Sequence, residues 1–415
     1  MNVLAFNCGS SSLKYRLIEM PSEVELAGGE AQRVGPKTAE PARIVHRVRG
    51  RDHGTVLVEM KDHGCAFREV MKLLPRGQET QPNVFSHRLA HGGARLNACT
   101  RLDAATWAEL RALSDLAPLH NPPAIALIQA CRQAFPKLPQ MVVCDTAFHA
   151  TIPDYARAYA LPGLLREELD IRKYGFHGIS HGYVSAEAAR FLNRPLHELQ
   201  AVSCHLGSGG ASLCAIVNGR SVDNTMGYSP LQGLIMSTRC GDLDAAVALR
   251  LLTLARGKVG TVEGWLNRKS GVLGLSGFSA DIRDVLKGAA QGGEQAARLD
   301  MAAQAYLWRI RKYLGAYLAV VGQAQAVIFT DTIGELVPYA RWAVCANLDV
   351  FGLRMDPRKN ESVAGWPADV AADDSQVRIL VIQTNEELSI ARTAYMAMKE
   401  RQLEHTYPET RATPD

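Results

Sequence analysis

The residues best suited to chemistry in this chain are ones that could handle a phosphoryl group. The opening stretch "MNVLAFNCGSSSLKYRLIEM" passes from an apolar strand through Asn7, Gly9, Ser10, Ser11 and Ser12 into an alternating strand, with Lys14 just beyond. A two-residue turn would suffice to reverse the chain. A longer loop full of hydroxyls and backbone N–H groups reads instead as a cradle for an anion. Arg88 in "FSHRLAHGG" and Arg239 in "MSTRCGDLD" each stand beside glycines that allow close backbone approach. Carboxylates follow apolar runs at Asp145 in "VVCDTAFH" and at Glu386 and Glu387 in "VIQTNEEL", and His177 lies in "RKYGFHGISH". Backbone donors, fixed cations and metal-holding carboxylates are what phosphoryl transfer requires. These groups are far apart in the chain, so only a fold can assemble them.

The elements that must do so are legible as alternating apolar runs. Val3–Phe6, Val84–Phe85, Met141–Cys144, Ala201–His205, Ala326–Thr330 and Ile379–Gln383 read as buried strands. Helices are predicted over Pro123–Phe135, Gly182–Phe191, Asp242–Arg256 and Leu299–Val321. In the last of these, Ala302, Tyr306, Ile310, Tyr313 and Tyr317 recur at helical spacing, the pattern of a packed face. Strands interleaved with helices give an α/β class. Residues 24–55 read as a meander or an excursion, and the polar tail after Met398 as frayed. A second stretch, "AVSCHLGSGGASLCAIVNGRSV", echoes the opening: an apolar strand, a Gly/Ser loop over Gly207–Ser212, an alternating strand and an Asn218-Gly219 hairpin turn. That echo predicts a duplicated fold with a ligand held between the halves.

Bulk properties narrow the partners. A chain of 415 residues exceeds what one core supports, so two domains are expected. The net charge of +4 is too slight to argue for nucleic acid or a membrane surface. The cysteines number nine, an odd count without a C-x-x-C pair, which offers neither a zinc site nor a disulfide framework. A reducing cytoplasm is the expected compartment. The opening residues lack the basic and apolar regions of a signal peptide, and no apolar run approaches the ~20 residues that span a bilayer.

Other chemistries fit less well. His87/His91 and His177/His181 mimic the spacing of zinc ligands, but both pairs sit beside glycine and no third ligand recurs. "GSGGAS" matches a dinucleotide fingerprint only loosely, since Ser212 replaces the third glycine, and no P-loop is present. Asp242 and Asp244 read as caps of the following helix.

An ordered set of motifs is more specific. "NCGSSSLK", "HRLAHGG", "APLHNPP", "DTAFHATIP", "YGFHGISH", "MGYSPLQGLIMSTRCGD", "SGVLGLSGFSADIRD" and "TNEELSIAR" resemble, in order and over nearly the whole chain, the motifs of the acetate/propionate kinase family. The resemblance implies two duplicated actin-like (ribonuclease H-like) domains, as in the sugar kinase/actin superfamily, flanking a central active-site cleft. The first would span 1–147 plus about 386–415 as a returning helix, and the second 148–385, with the family's homodimer interface in the second. It implies reversible in-line transfer between ATP and acetate, giving acetyl phosphate and ADP, with propionate tolerated. Arg88 and Arg239 would grip the carboxylate and the phosphoryl in flight, and His177 would hydrogen-bond that phosphoryl. Asp145, Glu386 and Asn7 would organise magnesium or manganese, and His120 would position substrate. Ala90, Leu119, Phe176 and Pro230 would line the methyl pocket. Ser10, Ser12, Lys14, His205, Gly207, Ser208, Gly209 and Gly210 would shape the phosphate side, and Asp281, Arg283, Thr332, Ile333 and Gly334 the nucleoside side.

Departures from the family pattern fall mainly on the donor side. Where the family carries V-F-T-[GA]-G-I-G-E-N, this chain reads "IFTDTIGEL", with Asp331 and Thr332 at the small positions and Leu336 in place of Asn. A carboxylate there would crowd the nucleoside and repel a polyphosphate. "HLGSGGAS" is also one residue longer than the family's usual loop. These changes keep pyrophosphate in view as an alternative donor, and a nucleotide- or acyl-phosphate-binding protein without turnover as a second alternative. On the acceptor side, Ala90 stands where acetate-preferring members tend to carry Val, which enlarges the pocket toward propionate.

Overall fold

The structure is a computed structural model and describes residues 1–117 and 121–406. The chain forms two compact units, Met1–Ala147 with Asn385–Asp415, and Phe148–Thr384.

In the first unit β1 (Asn2–Cys8), β2 (Ser12–Glu19), β3 (Val24–Gln32), β4 (Arg43–Val48) and β5 (Arg51–Leu57) form an antiparallel meander. With β6 (Val84–Leu89), β7 (Thr100–Arg101) and β8 (Gln140–Cys144) they make a sheet of order β5-β4-β3-β2-β1-β6-β8-β7. β1 runs parallel to β6 and β6 to β8. Every residue of β1 is buried, as a central strand covered on both faces demands. β2 alternates, with Leu13, Tyr15 and Leu17 turned into the core and Lys14 left exposed. On the core side Phe6, Phe67 and Phe85 meet edge to face with ring centroids 5.8 to 6.0 Å apart. The helix Glu386–Thr406 packs on β1 and buries Ile390, Ala391 and Ala394. Of the tail expected to fray after Met398, "KERQLEHT" is rich in helix formers and continues the helix to Thr406, and residues 407–415 lie outside the described residues.

The second unit repeats this plan. β9 (Ala201–Leu206), β10 (Ala211–Val217) and β11 (Arg220–Asn224) form an antiparallel meander, and β12 (Ala326–Thr330), β13 (Ala368–Asp369) and β14 (Arg378–Val381) complete the order β11-β10-β9-β12-β14-β13. β9 runs parallel to β12, and β12 to β14, matching β1, β6 and β8. Asn218 and Gly219, with φ of 54° and 69°, make the expected hairpin turn between β10 and β11. The helix Ala296–Val321 buries Ala302, Tyr306, Ile310 and Tyr317.

Several boundaries differ from the sequence reading. β14 stops at Val381 rather than Gln383, because the chain then peels away to let the Thr384 N–H donate to Glu335 (3.0 Å). The helix expected from Gly182 begins at Gly178, directly after His177 in the left-handed region (φ 58°). Asp244 caps the helix Ala245–Leu254 through the Ala246 N–H, whereas Asp242 accepts from the Gly233 N–H and the Tyr313 hydroxyl and caps nothing.

Candidate active site

The two Gly/Ser loops are built alike. Gly9 N–H donates to the Ser12 carbonyl and Gly207 N–H to the Gly210 carbonyl, each at 2.9 Å. The flanking register pairs are Cys8 with Leu13 and Leu206 with Ala211, so the loops have equal length. In the first loop Ser10 is exposed and Ser12 half-buried, and Lys14 is the register partner of Asn7.

In the first unit a charged network gathers at the ends of the parallel strands. Arg88, at the end of β6, donates from Nε (3.1 Å) and Nη2 (2.5 Å) to Asp145 Oδ2, just beyond β8. Its Nη1 donates to Asn7 Oδ1 (3.3 Å). Asn7, near the end of β1, spends both amide protons on carboxylates: Glu386 Oε2 at 2.7 Å and Glu387 Oε1 at 3.0 Å. Parallel strands leave their C-terminal ends on one side, which is why residues so distant in sequence converge. Burial works to lower the Arg88 pKa, but the Asp145 and Glu386 carboxylates outweigh it and hold it above its usual value. Asp145 is 1% exposed, and its second oxygen, Oδ1, is buried without a partner among the described residues.

In the second unit the cation is differently placed. Arg239 is half-buried, and among the described residues no carboxylate pairs with it; burial lowers its pKa. The segment carrying it is fixed by backbone bonds: Val272 N–H to Met236 O (2.9 Å), Leu273 N–H to Ser237 O (2.9 Å) and Ser270 N–H to Thr238 O (3.0 Å). Gly271 (φ 62°) makes this approach possible, since a Cβ there would stand 2.2 Å from the Met236 carbonyl oxygen. A Cβ on Gly210 would lie 3.5 Å from Arg239 Nη1 and from His177 Nε2, so both groups border the second loop. His177 Nδ1 is 2.9 Å from Ser212 Oγ.

The donor-side residues fall into two groups. His205 Nε2 lies 3.0 Å from Asp331 Oδ2, and Asp331 takes the left-handed φ of 63° at the position where the resemblance predicts a small residue. Burial alone would raise the Asp331 pKa; His205 and the Thr332 N–H and hydroxyl hold it below the usual carboxylate range. Its carboxylate rests against the second loop, where a Cβ on Gly207 would come within 2.5 Å of Oδ2. Thr332 is half-buried, and Ile333 and Gly334 are buried behind it. Asp281 and Arg283 form a separate pair: the carboxylate caps the helix Ile282–Gln291 and receives the Arg283 guanidinium. Arg283 edges a cavity of about 740 Å³ lined by Leu286, Ala303, Leu307, Val337 and Tyr339.

On the acceptor side Ala90 and Phe176 are buried and Pro230 is half-buried. Leu119 and His120 lie outside the described residues. The motif reading missed several supports. Glu335 Oε1 accepts from the Asp331 and Thr384 N–H groups at 2.7 and 3.0 Å. Fully buried Arg341 donates to the Gly334 and Glu335 carbonyls, both at 2.8 Å, and fixes the end of "FTDTIGEL". Glu335 stands at the Glu of the V-F-T-[GA]-G-I-G-E-N pattern without a role assigned to it, and Arg341, which also donates to Asn360 Oδ1 (2.8 Å), lies outside every motif quoted. Glu387, by contrast, adjoins Glu386 in sequence and shares its Asn7 partner. Among the expected zinc mimics, His87 Nε2 bonds Gln140 Oε1 (2.9 Å) and His177 and His181 share Ser212.

Two sheets of one duplicated topology, each with a hydroxyl- and glycine-rich hairpin loop and an arginine nearby, make up the duplicated actin-like fold. The acetokinase family profile matches residues 2–392. The acetate kinase of Acetivibrio thermocellus is 42% identical over 405 residues, covering 96% of this chain and all of that protein. The acetate kinase of Heliobacterium modesticaldum is also 42% identical over 96% of this chain. The crystal structure of Porphyromonas gingivalis acetate kinase superposes with a TM-score of 0.87 at 33% identity, covering 96% of this chain and 99% of that one. A Francisella tularensis propionate kinase gives 0.86 at 34% identity, covering 94% and 98%. The chain belongs to the acetokinase family.

Proposed function

We propose that this chain catalyses reversible in-line phosphoryl transfer between ATP and a short-chain carboxylate, acetate or propionate, giving the acyl phosphate and ADP. The observation that carries this reading is the Arg88–Asp145–Asn7–Glu386 network, intact at the strand ends of a chain that belongs to the acetokinase family.

The acceptor is already an anion at neutral pH. One of its oxygens supplies the electron pair for the new bond to the γ-phosphorus, and the bond to the ADP oxygen breaks with its pair leaving on ADP. No proton has to be removed, so no general base is needed. The obstacle is bringing two anions together, and the protein meets it with fixed cations and positioned donors. Arg239, unpaired with any carboxylate among the described residues, is suited to an incoming anion; Arg88, anchored by Asp145 and Asn7, presents a fixed guanidinium. His177 offers a ring N–H to the phosphoryl oxygens, and His205 and the loop Gly207–Gly210 serve the donor's phosphates.

Asp145, Glu386 and Asn7 fit a magnesium ion: all are hard oxygen donors, and Asp145 Oδ1 is buried with no protein partner among the described residues. When bound, the ion would supply neutralisation of the donor's phosphate charge. Ala90 leaves room for one more carbon than Val would, which supports acceptance of propionate.

The chain would act as a homodimer. The helix Ala245–Leu254, "AAVALRLLTL", buries none of its residues, and Leu249 and Leu254 are 66% and 59% exposed. An apolar face of this kind, with Arg250 its one charge, is best covered by the same face of a second copy. No helix among the described residues is long and apolar enough to cross a membrane; unpaired cysteines and the use of ATP support a cytoplasmic setting.

Hydroxylamine trapping tests the reaction. Purified protein with ATP, magnesium and acetate or propionate should yield the hydroxamate; none with either acid would refute the reading.

A further inference from the structure

We propose that Ser212 and His181 are positioning residues that fix the tautomer of His177, so that its Nε2 carries the proton offered to the phosphoryl group. The inference rests on the role given to His177 above, but its first test does not require turnover.

His149, His177, His181 and His205 cluster in the second unit, with ring centroids 4.2 Å apart for His177 and His205, 5.8 Å for His149 and His181, and 6.0 Å for His181 and His205. Ser212 Oγ stands between two of them, 2.9 Å from His177 Nδ1 and 2.9 Å from His181 Nε2. On its other edge His181 Nδ1 is 2.9 Å from Ser203 Oγ. Both serines and His181 are fully buried. Burial, with His149 and His205 nearby, pushes the His181 pKa well down, so its ring is neutral and carries a single proton.

Counting protons then selects one arrangement. Ser203 has no hydrogen-bond partner but His181 among the described residues. If His181 carried its proton on Nδ1, the Ser203 hydroxyl proton would be stranded in the core. A stranded buried donor is costly. With the proton on Nε2 instead, Ser203 donates to Nδ1 and His181 donates to Ser212. The Ser212 proton in turn needs an acceptor, and His177 Nδ1 provides it. His177 therefore receives on Nδ1 and holds its own proton on Nε2. That edge borders Gly210 together with Arg239 Nη1, so two donors converge over the second loop. The left-handed backbone of His177 (φ 58°) is the sort of strained conformation that surrounding structure must hold in place. The Ser203–His181–Ser212 chain does this for the ring as well as the proton.

The test uses the full chain labelled with ¹⁵N-histidine and no ligand. Long-range ¹H–¹⁵N correlations read which ring nitrogen is protonated, and a His177→Gln variant assigns the resonance. Wild type should show His177 protonated on Nε2. Ser212→Ala should admit the Nδ1–H form and lower kcat on the order of ten- to a hundred-fold, with KM for the carboxylate within about two-fold. His181→Leu should behave like Ser212→Ala. His181→Gln, whose amide N–H can replace Nε2–H, should recover kcat to within about three-fold of wild type. An Nδ1–H His177 in wild type overturns the proposal, whether or not the Ser212 and His181 variants fold. So does a folded Ser212→Ala that keeps both the tautomer and kcat. Absence of acyl phosphate from wild type would instead defeat the proposed function, leaving the tautomer result to be read by itself.

Discussion

Asp331 Oδ2 lies 3.0 Å from His205 Nε2, with the same oxygen pressed against Gly207 of the second glycine-rich loop. A carboxylate thus occupies ground that a donor phosphate would favour for its own charge, and repulsion follows. Asp331→Asn keeps the shape and removes the charge, and should lower KM for ATP roughly five- to ten-fold. Stability should move the other way. The folded-state pKa of Asp331 is held below its ordinary 3.8, so its charge stabilises the fold above that value, and the gain is lost as pH falls through the lower folded value. Urea unfolding should show wild type more stable than Asp331→Asn at neutral pH, with the gap closing below about pH 4. An unchanged KM and a gap independent of pH would contradict both expectations.

The two arginines should separate in their effects on stability. Arg88→Met leaves Asp145 buried and unpaired, and should cost about 3–5 kcal/mol together with activity. Arg239→Met removes a cation that burial disfavours and no carboxylate offsets, so the melting temperature should hold or rise while kcat falls on the order of a thousand-fold. Differential scanning calorimetry beside kinetics checks the contrast; equal losses of stability would contradict it.

Ala90→Val adds the two methyl groups that the family resemblance associates with a preference for acetate. The ratio of kcat/KM for acetate over propionate should rise about ten-fold, chiefly through loss of propionate turnover. A ratio that stays put would mean that Ala90 does not meet the acyl chain.

Leu249→Glu places a charge on the exposed apolar helix Ala245–Leu254. Sedimentation velocity should show a dimer for wild type and a shift toward monomer for the variant, since identical charges would face each other across a self-complementary interface. A monomeric wild type would refute the dimer, and a variant that still dimerises would move the interface elsewhere.

Much of this arrangement was legible in the sequence. The apolar runs located the parallel strands, and the "NCGSSSLK" and "HLGSGGAS" echo anticipated two hairpins that turn out to share one loop bond and one register. Asn7, Arg88, Asp145 and Glu386 were named individually and meet in one network. What the sequence did not disclose depends on three-dimensional proximity to backbone or to neutral side chains. Arg341 holds two carbonyls and the distant Asn360 side chain, and Glu335 holds two N–H groups, contacts that no residue type announces. Ser203 looks like an ordinary strand residue and His181 like half of a zinc-spaced pair until the fold links both to Ser212. Asp242 misled because capping and buried acceptor roles draw on the same residue type.

The central claim is that a carboxylate oxygen of the acceptor makes the new bond to the phosphorus that ATP gives up. Incubation of the protein with ATP, magnesium and acetate labelled with ¹⁸O in both carboxylate oxygens, followed by ³¹P NMR, tests it in one spectrum. The account predicts acetyl phosphate whose phosphorus line carries the isotope shift of a bridging ¹⁸O, with ADP unshifted. Acetyl phosphate without that shift, or no acetyl phosphate at all, would contradict it.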